Sequence, residues 1–193
     1  GGIERDVILY SQPRIHIQDF HSVSTLDDLY RNGIFKLIVN MVNHNETEEI
    51  EVGIGYELIN QKNGQNVVCI HDHKNVLIKP NDEESVSFDE NQIPYVLQWS
   101  AEHPNLYILL LTLKKIDDDS ILEIVPFWIG FRREEIVDYK WCNTEVKVLL
   151  FNGKPIKFKG VNIHEHDQKT WHYVTDEVRL KDIELLKQNN FNA

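Results

Sequence analysis

The sequence predicts a mainly β fold: an antiparallel β-sandwich over residues 13–137, then a strand-and-helix unit over 138–193. Three observations carry this. Apolar and polar residues alternate with period two through the first region. Clusters of Asn, Gly, Pro and Asp punctuate the alternating runs. Only one segment, close to the C-terminus, has the apolar face of a helix.

Taken in order, Phe35, Leu37, Val39 and Met41 alternate with Ile34, Lys36, Ile38 and Asn40, which gives a strand with one apolar face. Val52, Ile54, Tyr56 and Leu58 repeat the pattern, as do Tyr107, Leu109, Leu111 and Leu113. Turns are expected at Asn43-His44-Asn45, Asn63-Gly64-Gln65, Pro80-Asn81-Asp82 and Asp117-Asp118-Asp119. Short strands at this spacing, with no helical period between them, read as an antiparallel sandwich. Val146 to Phe151, then Asn152-Gly153, then Ile156 to Phe158 predict a hairpin. Asn-Gly accepts the positive φ angles of a tight turn, with Lys154-Pro155 lengthening the loop. A helix is predicted from about Thr175 to Asn189. Thr175 is its N-cap, and Asp176 and Glu177 sit at the positive end of its dipole. Val178, Leu185 and Leu186 share a face widened by Leu180 and Ile183, so the helix should pack on something apolar.

The 193 residues suffice for one good core and part of a second domain. A net charge of −11 argues against nucleic acid or an anionic membrane as partner, since both would repel it. No apolar run approaches the roughly 20 residues that span a bilayer. Cys69 and Cys142 lie far apart and form no CxxC pair, so both are expected as free thiols. The chain begins Gly1-Gly2-Ile3 rather than with Met and reads as an internal piece, so a missing leader says nothing about compartment.

The most informative stretch is Gly160-Val161-Asn162-Ile163-His164-Glu165-His166-Asp167, with Asp182 to Gln188 after it and Phe151 to Ile156 before it. Together these resemble the entry into the catalytic barrel of glycoside hydrolase family 2. Gly2 to Leu9 resembles the last strand of that family's N-terminal jelly roll, although Glu4 stands where an aromatic is usual. Trp99 to Tyr107, with Ile129-Gly130-Phe131-Arg132, resembles the last strands of its immunoglobulin-like domain. The three segments occur in the family's order and cover nearly the whole chain. His-Glu-His-Asp favours the β-galactosidases over the β-glucuronidases and β-mannosidases. Ile163 departs from the Arg common there, and Gln168 to His172 lacks a frequent glycine.

The resemblance implies residues 1–12 as the end of a jelly roll, 13–137 as an immunoglobulin-like sandwich and 138–193 as the start of an incomplete (β/α)8 barrel. It implies a parent that is a retaining β-galactosidase cleaving terminal β-D-galactosides. Two glutamates, roughly 5 Å apart in retaining enzymes, flank the scissile bond. Both are expected downstream of Ala193, so this chain carries no catalytic carboxylate and is expected to be inactive alone. The Mg²⁺ and Na⁺ of the family belong to the parent, and no metal is expected on this chain. The implied partners are a β-galactoside and the remaining domains of the same polypeptide, with a homo-oligomer open, in a bacterial cytoplasm, periplasm or secreted fraction. His164 matches the histidine that hydrogen-bonds galactose hydroxyls, a task suited to a neutral imidazole that donates at one nitrogen and accepts at the other. Trp171 is kept as a substrate neighbour, while Asn162, Glu165 and His166 are read as supporting residues.

Other readings stand beside these. His164 and His166 would share one side of an extended strand, as metal ligands do, but no third ligand at a telling distance accompanies them. His71-Asp72-His73 reads as solvated polar residues on a strand, and Glu46, Glu48, Glu49 and Glu51 as a solvated edge. Asp117 to Asp119 lacks the spacing of a calcium loop. Trp99 and Trp128 are expected in the core. The alternative function is a stand-alone β-sandwich that binds a glycan or protein without catalysis. Against it, an unpaired first barrel strand has two exposed edges, so residues 138–193 would be sticky, disordered or paired between chains.

Overall fold

The computed structural model describes residues 3, 5–62, 65–141 and 144–193, without the side chains of 62, 141 and 144. Gly2, Glu4, the Asn63-Gly64 turn, Cys142 and the side chain of Trp141 therefore lie outside the described residues. The chain forms two compact units, one of residues 12–154 and one that joins residues 1–11 to 155–193.

The larger unit is built from β1 (Ile15–Leu26), β2 (Gly33–Asn43), β3 (Ile50–Lys62), β4 (Gln65–Ile78), β5 (Asp82–Ile93), β6 (Tyr107–Lys115) and β7 (Ile121–Ile129), followed by β8 (Glu134–Trp141) and β9 (Thr144–Phe151). One sheet has the order β1-β2-β5 and the second β4-β3-β6-β7, with antiparallel pairing throughout. The alternation read from the sequence sets the core. Phe35, Leu37, Val39 and Met41 on β2, Val52, Ile54, Tyr56 and Leu58 on β3, and Tyr107, Leu109, Leu111 and Leu113 on β6 are all buried in one cluster. Each such side chain, fully buried, contributes roughly 1.5–3 kcal/mol. Asn43 is the one buried polar residue among those described. Its amide donates to the carbonyls of Glu48 at 2.9 Å and Ile78 at 3.1 Å, and its oxygen accepts from the Asn45 amide at 2.9 Å.

A third sheet runs β8-β9-β10, where β10 is Lys154–Pro155. Asn152 at φ 49° and Gly153 at φ 74° form the two-residue turn that Asn-Gly predicts. The loop is not lengthened, because Lys154 already re-enters the ladder. Nor does the second strand reach Phe158: it stops at Pro155, which has no N–H to offer. An expected boundary at residue 138 falls inside β8, whose ladder with β9 belongs to the larger unit.

This turn is locked into the sandwich. The Asn152 side chain accepts from the Arg133 amide at 2.9 Å and donates to the Trp99 carbonyl at 3.1 Å. Arg133 lies over the Tyr30 ring at 5.5 Å and pairs with Asp28 at 2.7 Å and Glu135 at 3.1 Å, so its guanidinium is held above its ordinary pKa, chiefly by Asp28. Gly130 lets Trp99 approach closely, since a β-carbon there would meet the Trp99 side chain at 2.9 Å.

Several expectations change. Trp99 is half-buried rather than in the core, and Trp128 is 53% exposed because it points to the outer face of β7, an edge strand. Glu46, Glu48 and Glu49 are solvated but precede β3, which is an inner strand and not an edge. Cys69 is a free thiol, pushed up in pKa by burial.

The smaller unit contains α1 (Asp176–Gln188). Thr175 takes the extended N-cap conformation but makes no side-chain cap to the backbone. Its hydroxyl instead helps lower the Glu177 carboxyl, after the bond from that residue's own amide. Val178 and Leu186 are half-buried, while Leu180, Ile183 and Leu185 are exposed, so the expected apolar packing partner is not among the described residues. Of the strand expected over Gly2 to Leu9, residues 5–9 join no ladder, nor do residues 156–162: a strand requires a neighbour, and none of the described strands pairs with them. No helix among the described residues is long and apolar enough to cross a membrane.

Candidate functional site

The segment that carries the His-Glu-His-Asp motif is held by polar contacts at three levels. At its base, Asn192 ties the end of the chain to residues 157–159. The Asn192 side chain accepts from the Lys159 amide at 2.7 Å and donates to the Lys157 carbonyl at 3.1 Å, and its own amide donates to Lys159 at 3.0 Å. Gly160 then passes so near Ala193 that a β-carbon would lie 2.7 Å from its carbonyl oxygen.

At the middle level, Glu165 receives two guanidinium groups. Arg5 pairs with it directly, and Arg179 of α1 stands 3.9 Å away. Arg179 is also bonded to Asp176, and that bond first, with Glu165 and Asp6 adding to it, raises the guanidinium pKa.

At the upper level, Asp167 organises a turn. Its carboxylate accepts from the amides of Lys169 at 2.7 Å and Thr170 at 2.9 Å, which hold it below the usual carboxylate range. Asp167 and Trp171 exchange backbone bonds at 2.8 and 2.9 Å, and Trp171 closes the turn at φ 59° with a 69% exposed ring. His166 packs edge-on against Trp171 at 5.7 Å and His172 at 5.6 Å. Trp171 is therefore brought to the motif, through His166.

His164 sits between these anchored neighbours, exposed, with no hydrogen-bond partner among the described residues. Asn162 is likewise exposed and unpaired there. No three His, Cys, Asp or Glu side chains among the described residues converge as a metal cage. A shallow depression of about 540 Å³ opens elsewhere, on the outer face of the sandwich. Gly55 forms its floor, and Glu57, His71, His73, Thr112 and Lys114 line its walls.

Sequence reasoning missed Arg5, Arg179 and Asn192. Arg5 and Glu165 are 160 residues apart, and nothing local announces their pairing. Asp167 was legible in principle, since Asp followed three residues on by Thr is the signature of a side-chain-stabilised turn.

The profile of glycosyl hydrolases family 2 matches residues 15–132, and that of the family's TIM barrel domain matches residues 143–193. Across all of this chain, the β-galactosidase of Streptococcus thermophilus is 37% identical and that of Clostridium acetobutylicum 34% identical. The chain spans only 16% and 19% of those two proteins. Among solved structures, a β-glucuronidase from Bacteroides uniformis superposes on 94% of the chain and 21% of its own, with a TM-score of 0.79 at 16% identity. A family 2 member from Bacteroides cellulosilyticus DSM 14838 superposes on 94% of the chain and 23% of its own, with a TM-score of 0.75 at 20% identity. These two show the fold: an immunoglobulin-like sandwich followed by the start of a barrel. With its sandwich and barrel-entry segments both matched in order, the chain belongs to glycosyl hydrolase family 2.

Proposed function

We propose that this chain is the part of a retaining β-galactosidase that carries the spacer sandwich and the start of the catalytic barrel, and that His164 binds the galactosyl ring. The observation that carries this is the state of His164. Its neighbours Glu165 and His166 are engaged, whereas the His164 imidazole is exposed and unpaired among the described residues. A group held in place by its neighbours, with both nitrogens unspent, suits a substrate hydroxyl. The whole-chain similarity to β-galactosidases supports the substrate class. The smaller unit has Val174 as its only buried apolar side chain among those described. Phe158, Val161, Ile163, Leu180 and Ile183 are at least half exposed, an apolar surface that further barrel elements would cover.

Under this reading His164 steadies hydroxyl groups of the sugar as charge develops at the reacting carbon, and the acid/base and nucleophile come from the rest of the polypeptide. The partners are a β-galactoside and those remaining domains. No observation favours the alternative of a stand-alone binding module. The test is His164→Ala in the full-length enzyme: turnover should fall at least about tenfold, with an unchanged thermal midpoint. Wild-type kinetics in that variant would refute the assignment.

A further inference from the structure

We propose that Arg5 and Arg179 are positioning residues for the site, clamping the Glu165 carboxylate so that the neighbouring His164 is presented in one orientation. The inference rests on the reading of His164 above and goes beyond it, because it brings into the site a residue that precedes both stretches matched by the family profiles, 15–132 and 143–193.

The geometry points this way on three counts. First, the two guanidinium groups reach one oxygen of Glu165, Oε2, from separate elements: the N-terminal segment and α1. Second, Arg179 is fixed from its other side by Asp176, so the clamp is braced rather than hanging on one flexible side chain. Third, the side chains of Arg5, Glu165 and Arg179 are 55%, 42% and 35% exposed, and ion pairs this exposed add little to stability. Their effect is on direction instead. Below Glu165 the segment is tied by Asn192, and above it by the Asp167 turn. Glu165 is the anchored side chain immediately beside His164, and the clamp fixes the backbone from which the imidazole projects. An error of about 1 Å in such a group is enough to lower a rate.

The experiment is a double-mutant cycle in the full-length enzyme with a β-galactoside substrate. It uses Arg5→Met, Glu165→Gln and the pair, with Arg5→Lys as the conservative control and His164→Ala alongside. Arg5→Met and Glu165→Gln should each lower kcat about fivefold, with KM within about twofold of wild type and thermal midpoints unchanged. The double variant should be no worse than either single, and Arg5→Lys should recover part of the loss. Additive losses, unaltered kcat, or a loss that tracks a lowered thermal midpoint would each overturn the clamp. If His164→Ala is itself silent, the reading of His164 falls. If His164→Ala is impaired while Arg5 and Glu165 are uncoupled, only the present inference falls.

Discussion

Asn152 offers the sharpest test of how the sandwich holds its last hairpin. Replacing it with alanine removes two side-chain hydrogen bonds, from the Arg133 amide and to the Trp99 carbonyl. At about 0.5–1.5 kcal/mol each, these account for about 1–3 kcal/mol. The residue also sits at φ 49°, where asparagine is tolerated and alanine is not, which adds about 1 kcal/mol. The expected loss is therefore about 2–4 kcal/mol. Over a urea slope of about 2 kcal/mol/M, the unfolding midpoint should drop by about 1–2 M with the slope unchanged. Far-ultraviolet circular dichroism suits the assay, because nearly all the β structure lies in the larger unit. Asn152→Gly separates the two causes: it relieves the backbone but forfeits both bonds, so it should fall between alanine and wild type. A midpoint for Asn152→Ala within about 0.2 M of wild type would show that the turn is not held as described, because about 0.4 kcal/mol is less than one of the two bonds.

Two further outcomes follow from the buried polar groups. Asn43→Leu strands the carbonyls of Glu48 and Ile78 and should cost about 2–4 kcal/mol, read as a lowered thermal midpoint; a neutral result would mean that water or a shift of the turn satisfies them. Burial raises Tyr56 and Tyr107 above the usual phenol value of about 10, so the folded state keeps them protonated where the unfolded state ionises. The resulting stability is fully present below pH about 10 and is lost as pH rises through the folded values. Ultraviolet titration should then show these tyrosines ionising late and together with unfolding, and a single step near pH 10 for all seven would contradict the burial.

What the sequence disclosed depended on the range of the interaction concerned. The strands β2, β3 and β6 were legible because one face of each is fully buried, and a period of two records that directly. Trp128 was misplaced because β7 reads Ile-Leu-Glu-Ile-Val-Pro-Phe-Trp-Ile, an apolar run that does not say which face turns inward. β8 was missed for the opposite reason. Its residues Ile136 and Tyr139 stay exposed, so no strong alternation marks it, and its ladder with β9 is aided by polar pairs such as Lys147 with Asp138 at 2.9 Å. Thr175 was correctly placed at the helix start but without its expected bond to the backbone. In the candidate site, residue types were readable and their partners were not. His164, Glu165 and His166 stand together in sequence, but the contacts of Glu165 with Arg5 and of Lys159 with Asn192 span long separations that only folding closes.

The two units reach order by different means, and the difference bears on function. The sandwich buries a continuous cluster from both sheets, so its hydrophobic term alone fixes register, and changing one surface residue there shifts little. The smaller unit lacks such a core among the described residues, with Val174 its single buried apolar side chain. Its shape near the motif is set by directional contacts: Asn192 at the base, the paired guanidinium groups at Glu165, and the Asp167 turn. Directional bonds fix orientation without filling space, which leaves the surface around His164 open. A packed core beneath the motif would have been more stable; on the proposed reading, the side chain that meets a substrate keeps its own bonding capacity uncommitted while its neighbours commit theirs. On the proposed reading, that division, with Glu165 and His166 engaged and His164 unpaired among the described residues, is what distinguishes a binding arrangement from a cluster of polar residues on a solvated loop.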